Sequence, residues 1–339
     1  MAPTTTLSTQ SRPWLRILAR SLLALVIFFA IAGFIYENIS EARDRRFHPM
    51  PGQLIDVGGY KLHIHCTGQG SPTVILDSGL GDSFISWRKV QPRIAQFTRV
   101  CSYDRAGLGY SDSSPRPRTS QVIAEELHTL LHNAAVTGPF VIVGHSAGGY
   151  NVRVFTSQYR NENEVAGMVL VDASHPEQRK RFPPALNDMD ATWVREAELL
   201  EFTMPLGLPR FFGFCESDPE LRAVECTFQA AREAVAELKS ISESAAQTAA
   251  TGSLGDMPLA VLSHDPAAPQ PDLPPDLVKP TSDAWEQMQE ELAHLSTKGT
   301  QTVARNSGHY IQLDRPDVVI DAIRKIVDEA RQASLARRR

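Results

Sequence analysis

Phe140-Val141-Ile142-Val143-Gly144-His145-Ser146-Ala147-Gly148-Gly149 is the stretch that decides how this chain is read. Its first four residues are apolar and two are β-branched valines, the signature of a short strand buried on both faces. A G-x-S-x-G string follows at once, and helix-forming sequence runs on from Val152 to Tyr159. A serine in that position sits on a tight strand-to-helix turn. Its hydroxyl is lifted out at the tip, and the new helix points its first N–H groups toward it. Gly144 and Gly148, two residues to either side, let the backbone pass close to its neighbours. Such a turn makes Ser146 a nucleophile; a glycine-rich turn carrying an idle serine is the plainer alternative.

Outward from this turn, strand and helix patterns alternate. Gln53 to Val57 and Tyr60 to Cys66 read as a hairpin on a Gly58-Gly59 turn. Thr73 to Leu76 and Arg99 to Tyr103 are further strands, and Gln121 to Ala135 has helical apolar spacing. Gly167 to Val171 is a strand ending at Asp172. Residues 176–255 break the alternation with helical patterns, prolines and aromatics. It resumes with a strand from Pro258 to Leu262, a proline-rich loop from Pro266 to Pro280, a helix from Asp283 to Leu295, a strand from Gln301 to Ala304 and a last helix. Short apolar strands between helices predict a mostly parallel α/β sheet with helices on both faces. Chemistry in such sheets gathers beyond the carboxyl ends of the strands. Ser146, Asp172, His309 and the Gly79-Leu80 loop all fall there.

A serine hydroxyl needs a base, and an imidazole titrates near working pH. Of ten histidines only His309, in Ser307-Gly308-His309-Tyr310, follows the last strand and precedes the closing helix. The imidazole in turn needs an acid to fix its tautomer. Two aspartates compete: Asp172, in Leu170-Val171-Asp172-Ala173, and Asp265, in Leu262-Ser263-His264-Asp265. Asp172 is preferred, since the sequence after Leu262 lacks a Gly-x-x-Asp turn; either aspartate could instead cap a turn. The oxyanion would be met by the backbone N–H groups of Ala147 and Leu80. His128 and His132 have helical metal spacing, but no glutamate follows His128, so they read as a solvated face. His63 and His65 read as surface or packing, His145 as a structural residue beside the elbow. Asp104-Arg105 reads as ordering its own glycine-rich turn. No metal and no cofactor is expected.

The 339 residues carry a formal charge of −5, from 34 basic and 39 acidic side chains, which leaves no basic footprint for nucleic acid. Leu22 to Tyr36 is uncharged and almost wholly apolar. With residues 17–21 added it reaches the length of a hydrocarbon core, Arg20 snorkelling to the interface. It reads as a membrane helix; the rival is a cleaved signal peptide with Ala30-Ile31-Ala32 as its cleavage site. Arginines flank it on both sides. The nearer ones, with the terminal amine, favour an inside N-terminus and an outside catalytic domain. An even count of four cysteines (Cys66, Cys101, Cys215, Cys226) suits an oxidising compartment and allows three pairings; four free thiols remain the alternative.

Taken together, Ser78-Gly79-Leu80-Gly81, Tyr103-Asp104-Arg105-Ala106-Gly107-Leu108-Gly109-Tyr110-Ser111, Gly144 to Gly149 and Gly308-His309 resemble the α/β-hydrolase superfamily over residues 52–331. The likeness is to its esterase, lipase and proline-iminopeptidase-like branch. The resemblance implies an eight-stranded sheet whose second strand is antiparallel and lies beside the fourth. It thereby implies a Cys66–Cys101 disulfide, with Cys215–Cys226 inside the insertion. Members more often carry the acid after the seventh strand, and many have His-Gly where this chain has Ser78-Gly79.

The organisation expected is a tail (1–16), a signal-anchor helix (17–36), a linker (37–51), the hydrolase domain (52–331) with a lid at 176–255, and a basic tail (332–339). Leu199, Leu200, Phe202, Met204, Leu206, Leu208, Phe211, Phe212 and Phe214 would line an apolar acyl pocket or pack the lid. The function expected is cleavage of a small or medium apolar ester. A proline-iminopeptidase-like amidase, or a binding or sensor module without turnover, is the alternative.

Overall fold

The computed structural model describes residues 13–159, 165–271 and 273–337. The expected tail up to residue 12, and Arg338-Arg339, lie outside them. The chain opens with α1 (Pro13–Phe47), then runs β1 (Gln53–Asp56), β2 (Lys61–Thr67), β3 (Thr73–Asp77), α2 (Gln91–Ile94), β4 (Val100–Tyr103) and α3 (Ser120–Asn133). It continues through β5 (Phe140–His145), α4 (Gly148–Tyr159) and β6 (Val165–Val171) into the insertion. This comprises α5 (Gln178–Arg181), α6 (Ala185–Thr203), α7 (Leu208–Phe211), α8 (Pro219–Glu225) and α9 (Phe228–Ala249). The alternation closes with β7 (Leu259–His264), α10 (Pro275–Ala293), β8 (Gly299–Ala304), α11 (Ile311–Asp314) and α12 (Pro316–Arg337).

Eight strands form one sheet in the order β1-β2-β4-β3-β5-β6-β7-β8. β2 runs antiparallel to β1 and to β4, and every pairing from β4 through β8 is parallel. The 2-residue side-chain period of a strand divides its apolar residues between two cores. Ile75, Ile142, Met168, Leu170, Leu259 and Val261 face the layer that holds Leu127 of α3, Val152 of α4 and Leu292 of α10. Their neighbours Val74, Leu76, Val141, Val143, Val169, Val171 and Leu262 face the layer built on Ile94 of α2 and Val319, Ile323 and Val327 of α12. This two-sided burial is why the central strands read as unbroken apolar runs. Each such side chain contributes about 1.5–3 kcal/mol when fully buried.

In the hairpin, Gly58 and Gly59 take φ of +118° and +101°, and Asp56 Oδ1 accepts both of their N–H groups. Cys66 and Cys101 lie opposite each other in the β2–β4 register and are disulfide-bonded; Cys215 and Cys226 are bonded within the insertion.

Several elements differ from the sequence expectation. α1 does not stop at Tyr36 but continues to Phe47, through most of the stretch read as a linker. α10 starts at Pro275, inside the stretch read as a loop, because proline is tolerated in a first helical turn; Pro280 then sits within the helix. His128 is not on a solvated face: its ring stacks on Tyr159 at 3.9 Å. The aromatic run of the insertion lies largely at the surface. Phe202, Phe211, Phe212 and Phe214 are strongly exposed, and Met204 alone of that group is buried.

Candidate active site

Ser146 lies between β5 and α4 with φ of +51°, a left-handed conformation that costs a non-glycine residue on the order of 1–3 kcal/mol. The surroundings fix it. Its N–H donates to the Val171 carbonyl at 3.2 Å, and its own carbonyl accepts from Gly149 N–H at 3.0 Å and Ser174 N–H at 2.9 Å. A Cβ on Gly148 would stand 2.6 and 2.7 Å from the carbonyl oxygens of Ser78 and Asp77, and one on Gly144 2.6 Å from the Gly148 carbonyl. Only glycines let the elbow press this closely onto the end of β3.

Asp172 follows β6 and is also left-handed, at φ +43°. Its N–H donates to the Leu262 carbonyl at 2.7 Å, and its side chain is fully buried. His309 Nδ1 lies 2.6 Å from Oδ2. A second imidazole shares the carboxylate: His264 Nδ1 is 2.8 Å from Oδ2 and 3.0 Å from Oδ1. Oδ1 also accepts from the His264 backbone N–H at 3.0 Å and from Trp285 Nε1 at 2.9 Å. Burial by itself would raise the Asp172 carboxyl. The hydrogen bonds and positive charge offered by the two histidines outweigh it and hold the group well below the usual carboxylate range. For His264, burial works against the charged form, yet the bond to Asp172 leaves its titration raised.

His309 is joined to the elbow by the residue just before the serine. Buried His145 donates from Nε2 to the His309 carbonyl at 3.1 Å, and the two rings lie 4.8 Å apart. Burial, the largest influence on His145, lowers its titration and keeps the ring neutral. A Cβ on Gly79 would meet His145 Nδ1 at 2.9 Å. One imidazole therefore touches the loop after β3, the elbow and the His309 loop.

Asp265 stands elsewhere. It accepts from Ala267 N–H, from Asn306 N–H and from Arg305 Nη1, and so caps its own turn and the loop after β8. Leu80 and Ala147 line one void of about 10 Å³. Among the described residues neither of their N–H groups has a partner.

Arg105 was read as holding its own turn; Asp104 does that, accepting from Tyr110 N–H at 3.0 Å, while Arg105 reaches further. Its guanidinium donates to Asp77 Oδ1, to the carbonyls of Ser78 and Gly79, and to Glu237 of α9, whose Oε2 also accepts Gly81 N–H. Sequence reading missed His264, Trp285 and Glu237 as members of the site. The signal for His264 was its place at a strand end beside the candidate Asp265. For Glu237, 132 residues from Arg105, the sequence held none.

A cleft of about 410 Å³ opens beside the imidazoles, lined by Asp172, His264, His309, Trp285, Phe182 and Trp193 among others. Among the described residues no group of three or more His, Cys, Asp or Glu side chains is arranged to hold a metal ion.

A family model described as the alpha/beta hydrolase family matches residues 63–322. The chain belongs to that family. Protein YqjL of Bacillus subtilis is 26% identical over 269 residues, 79% of this chain and 88% of that one. The chain spans only 20%, 62% and 24% of the length of three other relatives: a probable transporter of Hormonema carpetanum, YbdG of Bacillus subtilis, and a vacuolar membrane protein of Saccharomyces cerevisiae. Among solved structures, an esterase of Thermogutta terrifontis superposes with a TM-score of 0.57 at 22% identity, over 82% of this chain and 98% of that one. The Cif epoxide hydrolase of Acinetobacter nosocomialis gives 0.67 at 13%, over 87% and 96%. At such identities the likeness is one of fold.

Proposed function

We propose that this chain is a membrane-tethered serine hydrolase of carboxylic esters, with Ser146 as nucleophile, His309 as base and Asp172 as acid. The observation that carries the reading is the 2.6 Å bond from His309 Nδ1 to a buried, ionised Asp172, on a loop held against the strained Ser146 elbow. That bond fixes the tautomer in which Nε2 is free to take a proton. His309 Nε2 takes the Ser146 hydroxyl proton as Oγ bonds to the acyl carbon. The carbonyl electron pair moves onto oxygen, where the N–H groups of Leu80 and Ala147 receive it. As the pair returns, the bond to the alcohol oxygen breaks, and His309 gives its proton to the departing alcohol. Water repeats the sequence: His309 takes its proton, its oxygen bonds to the acyl carbon, and Ser146 leaves reprotonated with the acid released.

The cleft of about 410 Å³ lies in the size range of small-molecule sites, and its walls are mostly apolar, which favours a small or medium acyl group. α1 is long and apolar enough to cross a membrane. The two disulfides support a catalytic domain on the oxidising side. Fluorophosphonate labelling and a series of p-nitrophenyl esters test the assignment. The expected results are a label on Ser146 and a loss on the order of 10⁶ in kcat for Ser146→Ala. Tight ligand binding with no label and no turnover would favour a sensor module instead. Turnover of proline amides over esters would favour an amidase.

A further inference from the structure

We infer that the apolar face of the insertion, from Leu199 to Phe212, is seated in the headgroup–acyl boundary of the bilayer that α1 enters. The inference rests on the reading of α1 as an anchor and goes beyond it: it fixes how the catalytic domain stands on the lipid.

The insertion is clamped to α1. A Cβ on Gly33 would lie 2.2 Å from the Leu206 carbonyl oxygen, so the two backbones touch where glycine alone fits. Gly207, at φ +66°, turns against Tyr36 and the Gly33 carbonyl. Beyond them Arg210 bridges α1 through Glu37 and Asp44, two helical turns apart, and donates to the Cys226 carbonyl at 3.1 Å. A hinge-like tether is not what these contacts build. α1 leaves the domain in one fixed direction.

The level of this contact sets the depth. The uncharged stretch of α1 ends at Tyr36, and Glu37 is the first charge after it. Gly33 lies three residues inside that end, roughly 4.5 Å along the helix. The Leu206–Gly207 turn thus meets α1 within the apolar segment, while the Arg210–Glu37–Asp44 ion cluster sits on the aqueous side of it. Interfacial layers are on the order of 5–8 Å thick, so a turn at that level is inside one.

The side chains flanking the turn are what such a layer takes. Phe202 is 75% exposed, Phe211 72%, Phe212 65% and Leu199 62%. The rings of Phe211 and Phe212 pack edge to face on each other at 5.2 Å. Large apolar residues exposed together mark a surface that is covered in use, and aromatic rings at a membrane boundary stabilise seating there. Continuity with α1 selects the bilayer as the cover. α6 links this face to the cleft, carrying Phe202 near its end and Trp193, a cleft wall, nine residues earlier. Esters dissolved in the membrane are therefore the substrates closest to hand.

The test uses the full chain reconstituted in phosphatidylcholine vesicles, with and without bromine on the upper acyl carbons. Wild type, with Trp14 on α1, reports the anchor by co-flotation and by its own quenching. Phe202→Trp and Phe212→Trp report the face. The expected result is an added emission component in each variant, quenched about twofold by the brominated lipid and shielded from aqueous iodide. Co-flotation with an added component that iodide quenches and bromine does not would overturn the seating and leave the anchor standing. Shielding from both quenchers would overturn it in favour of a protein cover. A chain that does not float with vesicles would overturn the anchor and the seating together.

Discussion

Arg105 and Glu237 meet across the seam between the sheet and the helical insertion, Nε 2.6 Å from Oε1 and Nη2 2.9 Å from Oε2. The same guanidinium holds the carbonyls of Ser78 and Gly79, and the same carboxylate holds the N–H of Gly81. Leu80, whose N–H is assigned to the oxyanion, is thereby braced on both sides. Glu237→Gln keeps the shape but sets an NH2 donor against N–H groups that one carboxylate oxygen now accepts, and removes the charge that Arg105 faces. The expected outcome is a fall of about 10-fold or more in kcat on short esters with KM within a few-fold, as a misaimed oxyanion donor gives. A KM change with kcat intact would mean that the clamp shapes binding rather than chemistry.

The two candidate acids separate cleanly. Asp172 receives His309 Nδ1, whereas Asp265 is spent on Ala267, Arg305 and Asn306. Asp172→Asn is expected to cost on the order of 10⁴ in kcat. Asp265→Asn should leave kcat within about threefold, its effect falling on the loop after β8. Steady-state kinetics on one p-nitrophenyl ester decide it; equal losses would remove Asp172 from its assigned role.

His264 competes with His309 for Asp172 Oδ2. Removing it returns negative charge to the bond with His309 and takes away a nearby group that charges readily, its titration being raised by Asp172 despite burial. Both effects favour protonated His309. His264→Phe is therefore expected to move the acid limb of kcat/KM to higher pH. A limb that stays in place would show that the second imidazole only fills space.

What the sequence carried was periodic or local. The central strands were legible because Val141, Ile142 and Val143 alternate between two buried layers, and the elbow because G-x-S-x-G at a strand end has few other uses. Asp172 is preferred over Asp265 in the sequence because the stretch after Leu262 lacks a Gly-x-x-Asp turn that would aim a carboxylate inward. Phe202, Phe211 and Phe212 are exposed against expectation for a physical reason: an apolar side chain favours removal from water, and composition does not say whether the chain's own core supplies it. Glu237 was illegible because a charged residue on a helix looks solvated until tertiary packing brings Arg105 to it. The extra turns of α10 were hidden by Pro275, a loop signal that is also a good first-turn residue.

Glu225 on α8 gives the stability prediction with the clearest sign. Its carboxylate accepts from the N–H and hydroxyl of Ser83, at 3.1 and 2.7 Å. Burial, the largest influence, and the negative charge of Asp82 push its titration up to about 7. The folded state thus holds a proton that the unfolded chain releases near its ordinary value of 4.5. Between those two values the folded protein binds more protons, so stability falls as pH rises from about 4.5 to about 7 and levels off above. Glu225→Gln removes the titration and keeps an acceptor for Ser83. The variant is expected to match wild type near pH 4.5 and to melt several degrees higher at pH 8, at roughly 2–4 °C per kcal/mol. Thermal melts of both chains at the two pH values measure it, and a difference that does not grow with pH would place the strain elsewhere than on this carboxyl.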